Sequence, residues 1–111
     1  MDPISIDDFK KVEITIGEVI SAEKIEGSDK LLKLKVNFGD PPAGGERQVL
    51  SGIAAYVPDP AAIVGKRYPF VTNLAPRTMM GLESQAMILA AGEGDAVYLF
   101  ETSAPAGARV R

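Results

Sequence analysis

The chain has no cysteine, no histidine and no tryptophan. Without cysteine there are no disulfides, no thiolate nucleophile and no thiolate metal site. Without histidine, imidazole acid–base chemistry, serine–histidine dyads and most zinc sites are excluded too. No stretch approaches the roughly 18 consecutive apolar residues that a membrane helix needs. The opening MDPISIDDFKK is acidic and lacks the charged-then-apolar layout of a secretory signal. These absences give the expectation of a cytoplasmic protein with no membrane association and no cofactor.

What is present is one modest domain. The 111 residues suffice for a single core, read here as one unit over 1–111. The composition, 46% hydrophobic and 24% charged, is that of a globular chain. Net charge is −3, unusual for a binder of polyanions, but it is unevenly spread. Between Lys30 and Arg77 seven basic residues face three acids, a net +4, and the rest of the chain carries −7. An acidic body with one basic face would favour selective docking over general stickiness.

The periodicities are mostly those of strands. Ser5 followed three residues later by Asp8 is a helix-start pattern, giving one turn over 5–9. Val12, Ile14 and Ile16 alternate with Glu13 and Thr15, then the phase slips at Gly17, which predicts a bulge or bend in a long first strand. Such a strand can serve both sides of a small barrel. Leu32, Leu34, Val36 and Phe38 alternate with Lys33, Lys35 and Asn37, a strand whose second face is solvated or basic. A flexible loop follows over 39–45 and a third strand over 47–51. Asp59, Pro60 and Gly65 mark the cap, first turn and stop of a short helix. A fourth strand is expected over 67–74, with Pro69 arguing for an edge or a strand end. A fifth, apolar on both faces, is expected over 85–91. A sixth over 96–100 precedes a loose tail. Five strands with a short helix between the third and fourth fit an OB-fold, a Greek-key barrel, among other small β-barrels.

No catalytic constellation emerges. Ser51 and Ser84 lack a base to activate them, and Asp7-Asp8 is better explained as helix-start charge. The chain is read as a binding protein rather than an enzyme. Asn73, Pro76, Arg77, Met79, Met80 and Ser84 cluster in and after the fourth strand. Arg77 can meet a phosphate or stack on a base. Ser51, Asn73, Ser84 and Gln85 can hydrogen-bond a nucleic acid, and Met80 can pack on an unstacked base. Plainer roles are open to each: Asn73 capping a turn, Met80 folding inward, Ser84 satisfying a backbone group. With four Phe and three Tyr, of which only Tyr56 and Tyr68 look free, shape recognition is favoured over stacking along a single strand.

The blocks Asp8-Phe9-x-Lys11-Val12-Glu13-Ile14-x-Ile16-Gly17, Ser28-Asp29-Lys30-Leu31-Leu32, Ser51-Gly52-Ile53 and Val64-Gly65-Lys66 resemble the tRNA-binding OB domains. So do Asn73-Leu74-Ala75-Pro76-Arg77, Met80-Gly81-x-x-Ser84-Gln85-Ala86-Met87 and Leu89-Ala90-Ala91. The likeness covers nearly the whole chain, in order. Members occur as the C-terminal extension or beta subunit of methionyl-tRNA synthetase, as free structure-specific tRNA-binding proteins, and in the endothelial-monocyte-activating polypeptide group. The resemblance implies an all-β OB-fold whose N- and C-terminal extensions mediate homodimerisation. It also implies binding to the outer corner of the tRNA L with little sequence preference, alone or beside a synthetase. It points to Lys30, Ser51, Asn73, Arg77, Met80, Ser84 and Gln85 as RNA contacts, with Lys33 and Arg47 secondary. Thr78 stands where the family often has a second basic residue, and the 39–45 loop is long.

Secretion-related chaperones share the fold and the dimer and bind peptides, which makes a chaperone-like protein the alternative. The intact Ser28-Asp29-Lys30-Leu31 block favours tRNA. Val97, Leu99 and Val110 have no obvious partner within the chain, which argues separately for a dimer. A native Met1 and a family-length span give the expectation of a whole protein rather than a synthetase fragment.

Overall fold

Ile14–Lys24 forms one strand of 11 residues, β1, long enough to serve two neighbours. The computed structural model describes residues 1–40 and 44–111. The first half of β1 pairs with β4 (Arg67–Val71), from Ile14 opposite Val71 to Glu18 opposite Arg67. The second half pairs with β2 (Leu32–Asn37), from Glu18 opposite Asn37 to Lys24 opposite Leu32. The register slips between Val19 and Ser21, three residues beyond the expected bulge. Gly17 has a different cause. A Cβ there would lie 2.4 Å from Val36 Cγ1 and 2.7 Å from Phe38 Cε1, so its missing side chain lets β1 lie close over β2's inward residues.

β3 (Glu46–Ser51) pairs with β2 along its whole length, and β7 (Met87–Ile88) pairs with β4. The sheet order β3-β2-β1-β4-β7 is antiparallel throughout. The barrel closes where Gln85 N–H donates to the Gln48 carbonyl at 2.9 Å and Leu50 N–H donates to the Ser84 hydroxyl at 3.0 Å. This is the OB-class barrel expected from the strand order. Inward residues of β2, Leu32, Leu34 and Val36, meet Val19, Val49, Phe38 and Phe70 in a fully buried core. Phe38 and Phe70 pack edge to face at 5.2 Å. Of the loop expected over 39–45, residues 41–43 lie outside the described residues.

Between β3 and β4 run two short 3₁₀ turns, Ala54–Tyr56 and Pro60–Ile63. The second starts as expected, with the Asp59 carboxylate accepting Ala61 N–H at 3.1 Å. At the N-terminus, Ile6–Phe9 is a single α-turn, α1, capped by the Ser5 hydroxyl, which accepts Asp8 N–H at 3.1 Å.

Several expectations are corrected. Pro69 does not mark an edge: β4 lies between β1 and β7. Pro69 is tolerated because it faces Ile16, whose N–H and C=O bond the tail at Ala108 and Gly107 instead of β4. On the other side the β4–β7 ladder holds only Phe70 and Val71, and the Pro69 carbonyl still accepts Leu89 N–H at 3.1 Å. The tail is not loose: Gly107, Ala108 and Val110 hydrogen-bond along β1. The strand expected over 85–91 splits into β7 and β8 (Ala90–Glu93), and β8 is exposed, not covered on both faces. β8 pairs with β9 (Ala96–Leu99), so the sixth strand has an intrachain partner, and Val97 and Leu99 pack against the barrel core. After Pro76 comes a hairpin of β5 (Arg77–Met79) and β6 (Leu82–Ser84), two strands that the sequence pattern did not predict.

Candidate nucleic-acid interface

The barrel's closure brings distant residues to one rim. Ser28 shapes the β1–β2 loop: its hydroxyl accepts the N–H groups of Lys30 at 3.3 Å and Leu31 at 3.2 Å, turning the exposed Lys30 side chain outward. The Lys30 carbonyl accepts Ala54 N–H at 3.0 Å, and Leu32 pairs with Ser51. One residue before Ser51, Leu50 is bonded to Ser84, and Ser84 pairs across the hairpin with Arg77. The hairpin tip returns to the first loop, with Met80 Cε lying 3.6 Å from the place a Gly27 Cβ would take. Lys30, Ser51, Arg77, Met80 and Ser84 thus share one end of the barrel, on the β1–β2 loop, the end of β3 and the β5–β6 hairpin.

The residues of this rim differ in what they leave free. Ser51 and Ser84 are only 8% and 6% exposed. The Ser84 hydroxyl accepts Leu50 N–H and donates to the Ala86 carbonyl at 3.1 Å, the plainer role its residue type allowed. Lys30 and Arg77 are exposed and have no acidic partner among the described residues. Four other cations of the basic segment are paired: Lys33 with Glu23 at 2.9 Å, Lys35 with Glu46 at 3.4 Å, Lys66 with Glu101 at 3.5 Å, and Arg67 with Glu18 at 4.0 Å. Three of those four acids lie outside the 30–77 segment, so folding narrows the basic face that the linear charge count suggested.

The remaining candidate residues are engaged elsewhere. Arg47 enters the far end of the barrel. Its guanidinium donates to the Thr72 carbonyl at 2.7 Å and the Gln85 carbonyl at 3.4 Å, and lies 5.5 Å over the Phe38 ring. The Gln85 side-chain carbonyl accepts Gln48 N–H at 3.0 Å and helps seal the barrel. Lys33 points from the outer face of β2. Asn73 is exposed, but both ends of its amide bond the N-terminal segment. Tyr68 is buried at 3% exposure and cannot reach a base. Burial pushes its phenol pKa above 10.0, and the Glu101 carboxylate adds to the rise. The exposed aromatics are Tyr56, Tyr98 and Phe100.

Sequence reasoning missed the apolar setting of Arg77. Exposed Leu74 and Met87, with Met79, line a crevice of about 40 Å³ beside it, far below the roughly 300–1,000 Å³ of small-molecule sites. One guanidinium is thus framed by apolar side chains. The signal for it was the hairpin, which the turn residues concealed. Met80 and Gly81 form a two-residue loop with φ of 53° and 76°, the primed-turn geometry that asparagine–glycine usually fills. Met80 is the one described non-glycine residue with positive φ, and it is 55% exposed.

The family model described as "Putative tRNA binding domain" matches residues 14–109, the whole barrel and its tail. The chain belongs to that tRNA-binding domain family. The tRNA-binding domain here is 51% identical over 88 residues to a methionine–tRNA ligase of Enterococcus faecalis, covering 79% of this chain and 13% of the ligase. It is 44% identical over 108 residues to that of Methanospirillum hungatei, covering 97% of this chain and 16% of the ligase. The chain therefore spans about a sixth or less of these relatives. Among solved structures it resembles a methionyl-tRNA-synthetase-related protein of Pyrococcus horikoshii, with a TM-score of 0.90, 40% identity and both chains covered in full. It also resembles the CsaA chaperone protein of Picrophilus torridus, with a TM-score of 0.86 and 25% identity, covering 98% of this chain and 100% of that one. As a tRNA-binding domain it is a recognition unit.

Proposed function

We propose that this chain binds tRNA by its folded shape, as a homodimer, either alone or in company with a methionine–tRNA ligase in the cytoplasm. The observation that carries the reading is that Lys30 on the β1–β2 loop and Arg77 on the β5–β6 hairpin, neither ion-paired among the described residues, share one barrel mouth. A cation on each side of an apolar tip suits a backbone that folds over the rim, and few stacking residues are needed. Ser51 and Ser84 support this surface from beneath, Arg47, Gln85 and Asn73 are bonded away from it, and Lys33 lies to its side. The dimer is inferred from the N-terminal arm: α1 buries no residue, while Ile4 and Ile6 are 71% and 65% exposed. A single helical turn is too short to persist alone, and a second copy would cover it and place two rims on one particle.

Titration with intact tRNA, unfolded tRNA and plain duplex RNA tests this directly. Intact tRNA is expected to bind most tightly, with affinity falling as salt rises. Equal affinity for all three, or none for intact tRNA at low salt, would reject the reading. A second reading, peptide binding, is favoured by the likeness to the CsaA chaperone and by an open apolar groove of about 520 Å³ lined by Ile53, Tyr56, Val57, Ile63, Val97 and Leu99. Suppression of a client's aggregation that tRNA does not compete away would support it.

Met80→Asn separates fold from function at the rim. Asparagine tolerates the left-handed conformation better, so unfolding free energy should rise by up to about 1 kcal/mol. Affinity for tRNA should fall with the loss of the apolar tip. Denaturation and filter-binding on the same preparation check both; tighter RNA binding by the variant would show that Met80 is only a poor turn residue.

A further inference from the structure

The Asn73 side chain accepts Glu13 N–H at 2.8 Å and donates to the Lys11 carbonyl at 2.7 Å, across 60 and 62 residues of sequence. Bonding the residues on either side of Val12 is how a parallel strand pairs with its neighbour. The Asn73 amide therefore stands in for a strand partner where the N-terminal arm leaves the barrel.

The same junction is held from other directions. Thr72 N–H donates to the Glu13 carbonyl at 2.9 Å, and the Thr72 hydroxyl donates to the Glu13 carboxylate at 2.7 Å. Arg109 of the tail lies 3.7 Å from that carboxylate's other oxygen. In the opposite direction along the chain only Leu74, Ala75 and Pro76 separate Asn73 from Arg77. Proline fixes its own φ and restricts the residue before it, so this connection is short and stiff.

We infer that Asn73 is a positioning residue that ties the N-terminal arm, and with it self-association, to the pose of Arg77 on the tRNA rim. Its link to RNA rests on the tRNA-binding reading; its hold on the arm does not. Asn73→Ala removes both bonds. Asn73→Asp keeps an acceptor for Glu13 N–H and loses the donor to Lys11.

The test uses the full chain in three forms, unaltered, Asn73→Ala and Asn73→Asp. Thermal unfolding of each confirms that the barrel is intact. The readouts are amide hydrogen exchange over residues 4–16, sedimentation, and tRNA titration at 0.15 M salt, where charges beyond about 8 Å are screened. For Asn73→Ala, exchange at Glu13 should quicken about 30-fold, the worth of two ordinary hydrogen bonds. Self-association and tRNA affinity should weaken together, and Asn73→Asp should fall between the other two in all three readouts. Unchanged exchange and self-association in Asn73→Ala would overturn the inference. So would weaker tRNA binding by Asn73→Asp than by Asn73→Ala, the mark of a carboxylate facing phosphate directly. If the unaltered chain binds no tRNA, the RNA half falls with the reading beneath it, and the exchange and sedimentation results still decide whether Asn73 holds the arm.

Discussion

Phe38→Ala is expected to cost about 3–5 kcal/mol of unfolding free energy, the range for deleting a buried aromatic side chain. Phe38 is fully buried and its ring edge meets Phe70 at 5.2 Å with the planes 87° apart. It also carries the Arg47 guanidinium 5.5 Å above it. Truncation removes the aromatic pair, the cation's platform and the surface that fills the space opened by Gly17. Arg47 then keeps its bonds to the Thr72 and Gln85 carbonyls without the ring that holds its plane. A domain of this size is stable by roughly 5–15 kcal/mol, so the variant should sit near the edge of folding. Phe38→Leu, which keeps most of the volume, should cost far less. Urea denaturation measures both. A loss below about 1 kcal/mol for Phe38→Ala would mean that the barrel end collapses around the gap and that Phe38 is not the keystone of that end.

What the sequence made legible was local. Leu32, Leu34 and Val36 announce β2 by alternation, and Ser5 and Asp59 announce their caps because an N-cap acts within three residues. The likeness of ordered motif blocks to a known family carried the fold further than periodicity did. The errors share a cause, which is partners remote in sequence. Pro69 looks like an edge until Ile16 is seen to spend its backbone bonds on residues 107–108. Gly17 looks like a bulge until Val36 and Phe38 are seen beneath it. The hairpin after Pro76 escaped notice because methionine occupies a turn position that asparagine or glycine would normally mark. At the candidate site, residue types could be read but their commitments could not. Ser84 answers to Leu50, Asn73 to Glu13, and Lys33 to Glu23, and none of these pairings follows from spacing.

Those commitments decide which substitution at the rim should matter most for RNA. Arg77→Ala is expected to weaken tRNA binding roughly 10- to 100-fold, the worth of about 1.5–3 kcal/mol for a charge-assisted hydrogen bond. Arg77 is exposed on β5 and has no ion pair among the described residues, so removing it frees no buried acid and should leave stability nearly unchanged. The slope of log affinity against log salt should drop by about one, because one phosphate contact disappears. Arg77→Lys keeps the charge but loses the planar fork, and should recover the slope before it recovers the affinity. Lys33→Ala makes the contrast. Lys33 is paired with Glu23 at 2.9 Å on the outer face of β2 and should change tRNA affinity by less than about threefold. Filter-binding across a salt series distinguishes the two positions. Equal losses at Arg77 and Lys33 would mean that RNA is held by diffuse charge over the whole barrel, and that the rim built from Lys30, Met80 and Arg77 is not the docking surface.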